Sequence, residues 1–254
     1  MSKVIAIANH KGGVGKTTTA ASLGAALANK GKKVLLLDMD PQANLTSIFL
    51  TDEEQEGAKG IYAALVKGEE LSLWNVREGV GSLSICPSSL ELAGADIEMG
   101  KAAYSREKRL YDLLKPIREH FDYILIDTPP SLGLITTNAL FAADEAYITL
   151  TAEALPLRGL AKLQEIVGEI GDMNSRLALG GVIITRYNHR SLNKQVEEAI
   201  RASFGDKVFN TRIRENIALA EAPLYKQDIF EYSKDSNGAK DYAALADEVL
   251  ARNQ

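Results

Sequence analysis

Nine consecutive residues, His10-Lys11-Gly12-Gly13-Val14-Gly15-Lys16-Thr17-Thr18, combine glycines, cations and hydroxyls in a pattern suited to gripping a phosphorylated ligand. Glycines let successive backbone N–H groups curl around an anion, and a helix beginning directly afterwards points its positive end at it. Lys16 adds a point charge and Thr17 a hydroxyl for Mg²⁺. His10 stands where the pattern G-x-x-x-x-G-K-[ST] would have its first glycine, so the backbone of His10 matters more than its ring. Lys11 puts a second cation at the loop entrance, which makes the segment a K-G-G-x-G-K-T-T variant. A glycine turn could serve only to reverse the chain. Here the apolar run Val4–Ala8 precedes it and an alanine-rich helical pattern follows, the strand–loop–helix setting that phosphate binding requires.

Two acidic segments supply the rest of a phosphate-transfer site. The run Leu35-Leu36-Leu37 leads into Asp38-Met39-Asp40-Pro41-Gln42-Ala43-Asn44, with carboxylates at i and i+2 just past a strand end. In an open α/β sheet that position faces the ligand crevice. A second apolar run, Tyr123–Ile126, ends on Asp127-Thr128-Pro129-Pro130, the Walker B arrangement in which a carboxylate helps hold Mg²⁺. Such chemistry needs the metal held, the phosphates cradled and a water placed in line.

These groups must be positioned by regular elements. Strands are predicted at Val4–Ala8, Val34–Leu37, Leu83–Cys86, Tyr123–Ile126, Ala146–Leu150 and Gly181–Thr185, and their continuous hydrophobicity marks burial on both faces. Between them, Leu110, Leu113, Leu114 and Ile117 repeat at helical spacing, as do Leu192, Val196, Ala199 and Ile200. The polar stretch Thr51–Lys59 reads as an edge loop. The fold class is therefore α/β, a mostly parallel twisted sheet with helices on both faces, and residues 1–254 form a single P-loop domain.

Composition narrows the class further. A single cysteine, Cys86, among 254 residues excludes an internal disulfide framework and reads as a small buried apolar residue. The net charge of −5 means that any nucleic-acid surface must be a local patch. No run reaches the ~18 apolar residues of a spanning helix, and the few apolar residues before the glycine loop are too short for a signal peptide. The sequence thus predicts a cytoplasmic protein with no membrane association.

Lys11–Thr18, Asp38–Asn44 and Asp127–Pro130, together with the late segment Thr211–Pro223, resemble the deviant Walker ATPases. Within them, the likeness is to the ParA/Soj chromosome- and plasmid-partition family, over nearly the whole chain. The resemblance implies an ATPase using ATP and Mg²⁺, weak alone and stimulated by a ParB/Spo0J-type activator. It implies a homodimer with two ATP molecules sandwiched between subunits, Lys11 reaching across to the partner's nucleotide. Lys16 and the loop residues Gly12, Gly13, Val14, Gly15, Thr17 and Thr18 would bind the phosphates, with Pro41 and Asn44 beside them. Thr17, Asp38 and Asp127 would serve the metal, and Asp40 would position the attacking water. Thr128 would open a switch segment with Asp127. Arg214 and Asn216 fall where the family's late loop lines the adenine, although the family often has proline at position 214.

The same resemblance implies non-specific binding of double-stranded DNA and association with the nucleoid. Arg186, Arg190, Lys194 and Arg201 are the candidate contacts, with Arg212 and Arg214 nearby. On a helix over 191–203, Arg190, Lys194 and Arg201 fall within about 60° of arc, although Glu198 shares the stripe. His189 reads as a loop residue beside that surface, and His120 as a helix-end residue near carbonyls.

Other readings of the loop are weaker. A MinD-like membrane ATPase would need a basic amphipathic tail, whereas Asp241–Gln254 carries Asp241, Asp247 and Glu248. An iron protein of the nitrogenase type needs more cluster ligands than Cys86 provides. A ligase would need an added substrate-binding domain. An orphan relative positioning another cargo remains compatible with the chain.

Overall fold

The computed structural model describes residues 2–101, 105–152, 168, 171, 174–188 and 190–253. His189 lies outside the described residues. Among the described residues, eight strands form one sheet: β1 (Lys3–Ala8), β2 (Lys33–Asp38), β3 (Trp74–Arg77), β4 (Ser82–Cys86), β5 (Tyr123–Asp127), β6 (Glu145–Thr151), β7 (Ala178–Tyr187) and β8 (Val208–Arg214). Their order is β3-β4-β2-β5-β1-β6-β7-β8, and every pairing except β3–β4 is parallel.

The unbroken apolar runs are explained by helices on both faces. Ile5, Ile7, Val34, Leu36 and Leu125 face one layer, against helix Lys16–Asn29 (α1) and the late helix Asn237–Arg252. Their alternates Val4, Ala6, Ala8, Leu35, Leu37, Ile124 and Ile126 face the other, with helices Ala95–Gly100, Arg109–Leu114 and Leu134–Ala142. Period-2 alternation puts successive side chains on opposite faces, so a strand covered on both sides needs apolar residues throughout. Helix α1 lies close to the sheet: a Cβ on Gly24 would stand 2.7 Å from Leu36 Cδ2. Cys86 is fully buried, and that burial pushes its thiol up to about 12, leaving it inert.

Three features differ from the sequence reading. Strands β3 and β8 are additional. Both are sheet edges whose outward positions are polar or part-exposed, so their hydrophobic signal is diluted. The stretch predicted as a loop at Thr51–Lys59 contains a helix, Asp52–Gly57. A capping box makes it: Thr51 accepts from the Glu54 N–H while Glu54 accepts from the Thr51 N–H. Leu192, predicted to face the core, is half exposed at the start of helix Ser191–Phe204, whereas Val196 and Ile200 are buried as expected.

Strand β1 sits between β5 and β6, and the chain changes direction across the sheet there. Ligands bind beyond the carboxyl ends of strands at such a switch point. The register sets Asp127 opposite both Ile7 and Asp38, so the glycine loop and both acidic segments emerge side by side.

The last helix explains the fate of the apolar tail face. Tyr242, Leu245, Ala246 and Val249 are buried against α1 and β8. No helix among the described residues is long and apolar enough to cross a membrane.

Candidate functional site

The glycine loop connects β1 to α1 with Gly13 at φ 72° and Gly15 at φ 85°. Both lie in the left-handed region that glycine adopts without steric cost. Gly15 is also the residue from which α1 starts, so the helix's first N–H groups open onto the loop. A cleft of about 900 Å³ opens there. Its lining includes Gly12, Gly13, Gly15, Lys16, Thr17, Thr18, Asp40, Asn44, Arg214 and Asn216.

Lys16 reaches back over the loop, donating from Nζ to the Lys11 carbonyl at 3.2 Å. Burial lowers the pKa of its ammonium, against the opposing pull of Asp127 and Asp40. A buried cation beside the glycine N–H groups attracts a polyanion.

Asp127 is fully buried behind the loop. Its Oδ2 accepts from Thr17 Oγ1 at 2.6 Å, whereas Oδ1 has no hydrogen-bond partner among the described residues. Burial and the neighbouring Asp38 push its carboxyl well above the ordinary range, more than Thr17 and Lys16 pull it down. An orphaned carboxylate oxygen beside a hydroxyl is a hard-oxygen donor set that fits Mg²⁺. That ion is typically held by one or two carboxylates together with substrate phosphates. Thr128, the next residue, donates from Oγ1 to the Ile7 carbonyl at 2.8 Å and pins β5 to β1.

Asp38, to which the resemblance assigns a metal role, neighbours Asp127 and has both carboxylate oxygens hydrogen-bonded. Both its oxygens are committed to its own loop: Oδ1 accepts from the Asp40 N–H at 3.1 Å, and Oδ2 from Thr46 N–H and Oγ1 at 2.8 and 2.7 Å. Thr46 Oγ1 in turn accepts from the Ser88 N–H at 2.9 Å. Asp38 therefore shapes the turn that presents Asp40 to the cleft and holds helix Asn44–Phe49 against β4.

Burial pushes the Asp38 carboxyl up to about 6, despite hydrogen bonds from Thr46 and Asp40. The folded chain thus binds this proton more tightly than the unfolded one, whose carboxyl titrates near pH ~4. The Asp38 contribution to folding is accordingly greatest below pH ~4 and falls as pH rises toward about 6. We expect the unfolding free energy of the nucleotide-free parent, minus that of Asp38→Asn, to fall by roughly 2 kcal/mol across that window. Denaturant titrations at several pH values measure it; a difference that does not vary with pH contradicts the assignment.

The other sequence candidates separate into three groups. Lys11 is exposed and not part of the cleft lining; its N–H donates to Asn9 Oδ1 at 2.9 Å, which fixes its backbone. Val14 is turned into the core, its carbonyl accepting from Thr185 Oγ1 at 3.0 Å, and Pro41 is also outside the lining. Asn216 lines the cleft while its side chain caps helix Ile217–Glu221.

The basic candidates do not form the stripe the helical wheel suggests. Arg190 and Lys194 are exposed, but Arg201 donates to Glu197 at 2.8 Å and to the Phe209 carbonyl at 3.1 Å. Arg212 shares the same buried Glu197. Burial disfavours ionisation of Glu197, yet the two guanidinium groups outweigh it and hold its pKa down. Arg186 lines the cleft, with its backbone at φ 50°.

Sequence reasoning missed Gln42, Ser47, Ile48, Thr185, Leu219, Pro223 and Tyr242, which also line the cleft. Several come from the late segment and last helix, whose approach to the glycine loop depends on tertiary packing.

Sheet order, glycine loop and paired acidic strand ends define a P-loop nucleotide-binding α/β protein. Comparison with known proteins sharpens this. Residues 2–179 match a family model described as an AAA domain. The chain is 43% identical over 253 residues to the sporulation initiation inhibitor protein Soj of Bacillus subtilis (strain 168), covering 99% of each. It is 42% identical over 252 residues to the chromosome-partitioning ATPase Soj of Thermus thermophilus, covering 98% of this chain and 96% of that one. Among solved structures, cobyrinic acid a,c-diamide synthase from Mycobacterium smegmatis with bound ATP analogue and magnesium matches with a TM-score of 0.84. Its identity is 31%, covering 98% of this chain and 95% of that one. The chain belongs to the ParA/Soj family of P-loop ATPases.

Proposed function

We propose that this protein is a partition ATPase that cycles between a DNA-bound ATP dimer and a released state. Support comes from the family and from the cleft, which offers a glycine cradle, Lys16 and the Thr17–Asp127 pair to a nucleoside triphosphate. Mg²⁺ held beside Thr17 and Asp127 would supply charge neutralisation to the bridging phosphate oxygens. Asp40, almost wholly buried on the cleft wall, would orient the attacking water. Chain similarity favours partition over amide synthesis, since the partition relative is 42% identical and the synthase 31%.

The observation that carries the reading is the exposed Lys11 at the mouth of the glycine loop. A second lysine fixed by its backbone at the loop mouth, exposed and outside the lining of its own cleft, is suited to neutralising triphosphate in a facing subunit. Charge placed on the phosphates only in the dimer links nucleotide binding to dimerisation. Loss of the γ-phosphate would then release both switch segments and loosen the pair. On this reading, DNA contacts come from Arg190 and Lys194, a ParB/Spo0J-type protein accelerates turnover, and the dimer resides on the nucleoid.

Lys11→Ala is therefore expected to bind nucleotide with an affinity within about threefold of the parent, a change worth well under 1 kcal/mol. It should no longer form the ATP-dependent dimer. Calorimetry and size-exclusion chromatography with a slowly hydrolysed ATP analogue test this together. An undiminished dimer in the variant would overturn the cross-subunit role.

A further inference from the structure

The last helix ties together the two walls of the cleft through adjacent residues. Asp241 accepts four hydrogen bonds from Arg214 at the end of β8. The Arg214 N–H reaches Oδ2 at 2.9 Å, Nε reaches Oδ1 at 3.1 Å and Oδ2 at 3.0 Å, and Nη2 reaches Oδ1 at 2.6 Å. The next residue, Tyr242, is fully buried and its hydroxyl lies 3.0 Å from Thr19 Oγ1, in the first turns of α1. Arg214 and Tyr242 both line the cleft, whereas Asp241 is buried behind Arg214.

We propose that Asp241 is a positioning residue that fixes the Arg214 guanidinium as the platform on which the nucleobase stacks. The inference rests on the nucleotide reading given above. An arginine held through Nε and one Nη has spent its bidentate edge and paired its charge, so it no longer offers a fork to phosphate. What it presents to the cleft is a planar face, which suits an aromatic ring. Its chain neighbours in the lining, Ile217, Leu219 and Pro223, supply apolar surface of the same kind. The glycines, Lys16 and Thr17 are suited to the charged end of the nucleotide, and the late-segment residues to its base. A free arginine would lose rotamer freedom on stacking; the Asp241 clamp removes that loss before the nucleotide arrives.

The test compares KM and kcat for ATP in the parent, Asp241→Asn, Arg214→Leu and the double variant, each checked for a cooperative unfolding transition. We expect KM to rise roughly tenfold in each single variant, the size of a lost stacking platform, while kcat at saturating ATP stays within about twofold. The double variant should be no worse than Arg214→Leu alone, because Asp241 acts through Arg214. Asp241→Glu should recover part of the loss. An unchanged KM in Asp241→Asn, or its full effect persisting in the Arg214→Leu background, overturns the proposal. A parent that binds no ATP would instead bring down the nucleotide reading itself.

Discussion

Replacing Asp40 with alanine is expected to lower kcat for ATP by roughly 10²–10⁴-fold while leaving nucleotide bound, so that the ATP dimer accumulates. The magnitude follows from the role: a positioned carboxylate that orients and deprotonates water contributes that much when its geometry is fixed in advance. Fixation is visible here. The Asp40 N–H is held by Asp38, and its own Oδ1 accepts from the Gln42 N–H at 3.0 Å, closing a tight turn at the cleft wall. Asp38 is locked in turn by Thr46. Single-turnover hydrolysis and size-exclusion chromatography with ATP measure the two consequences. Ordinary turnover in Asp40→Ala would move the water-positioning role elsewhere in the cleft.

Charge reversal of Arg190 and Lys194 together should nearly abolish DNA binding without disturbing the ATP dimer. Arg190, just before helix Ser191–Phe204, and Lys194, in its first turn, are both exposed, whereas Arg201 is neutralised by Glu197 and is a poor choice for this test. In a dimer the pair occurs twice, so up to four phosphate contacts disappear. Each contributes about 0.9 to the slope of log K against log salt, so the slope should shrink by about 3–4. Affinity at low salt should drop by at least ~100-fold. With a net charge of −5 there is no general basic field to compensate. Mobility shifts with ATP at two salt concentrations provide the measurement. An unaltered salt slope would place the DNA surface on other residues.

The part of the molecule that binds phosphate is local in sequence, and this is why it is legible there. Lys3 to Asn29 is one strand–loop–helix unit, and the conformation of its loop depends on glycines at Gly13 and Gly15. Strands β1, β2, β4 and β5 carry unbroken apolar runs because helices cover both faces, so each is visible in isolation. Edge strands β3 and β8 have solvent on one side, and their diluted pattern gives no comparable signal. The short helix Asp52–Gly57 buries nothing and owes its existence to a capping pair rather than to hydrophobic periodicity.

Residue types and spacing alone determined the α/β class, the glycine cradle and the acidic strand ends, since each depends on neighbours within a few positions. Tertiary structure decided which charges are available. It committed Asp38 to Thr46, brought Arg212 onto Glu197 and clamped Arg214 on Asp241, whereas Arg201 meets Glu197 at i,i+4 spacing within one helix. The Arg212–Glu197 pair joins β8 to helix Ser191–Phe204, and the Arg214–Asp241 pair joins β8 to the last helix. A charge's role depends on its partner and its solvent exposure. In a chain folded around a parallel sheet, partners such as Asp241 are supplied by segments distant in sequence, and a helical wheel drawn for one helix does not include them.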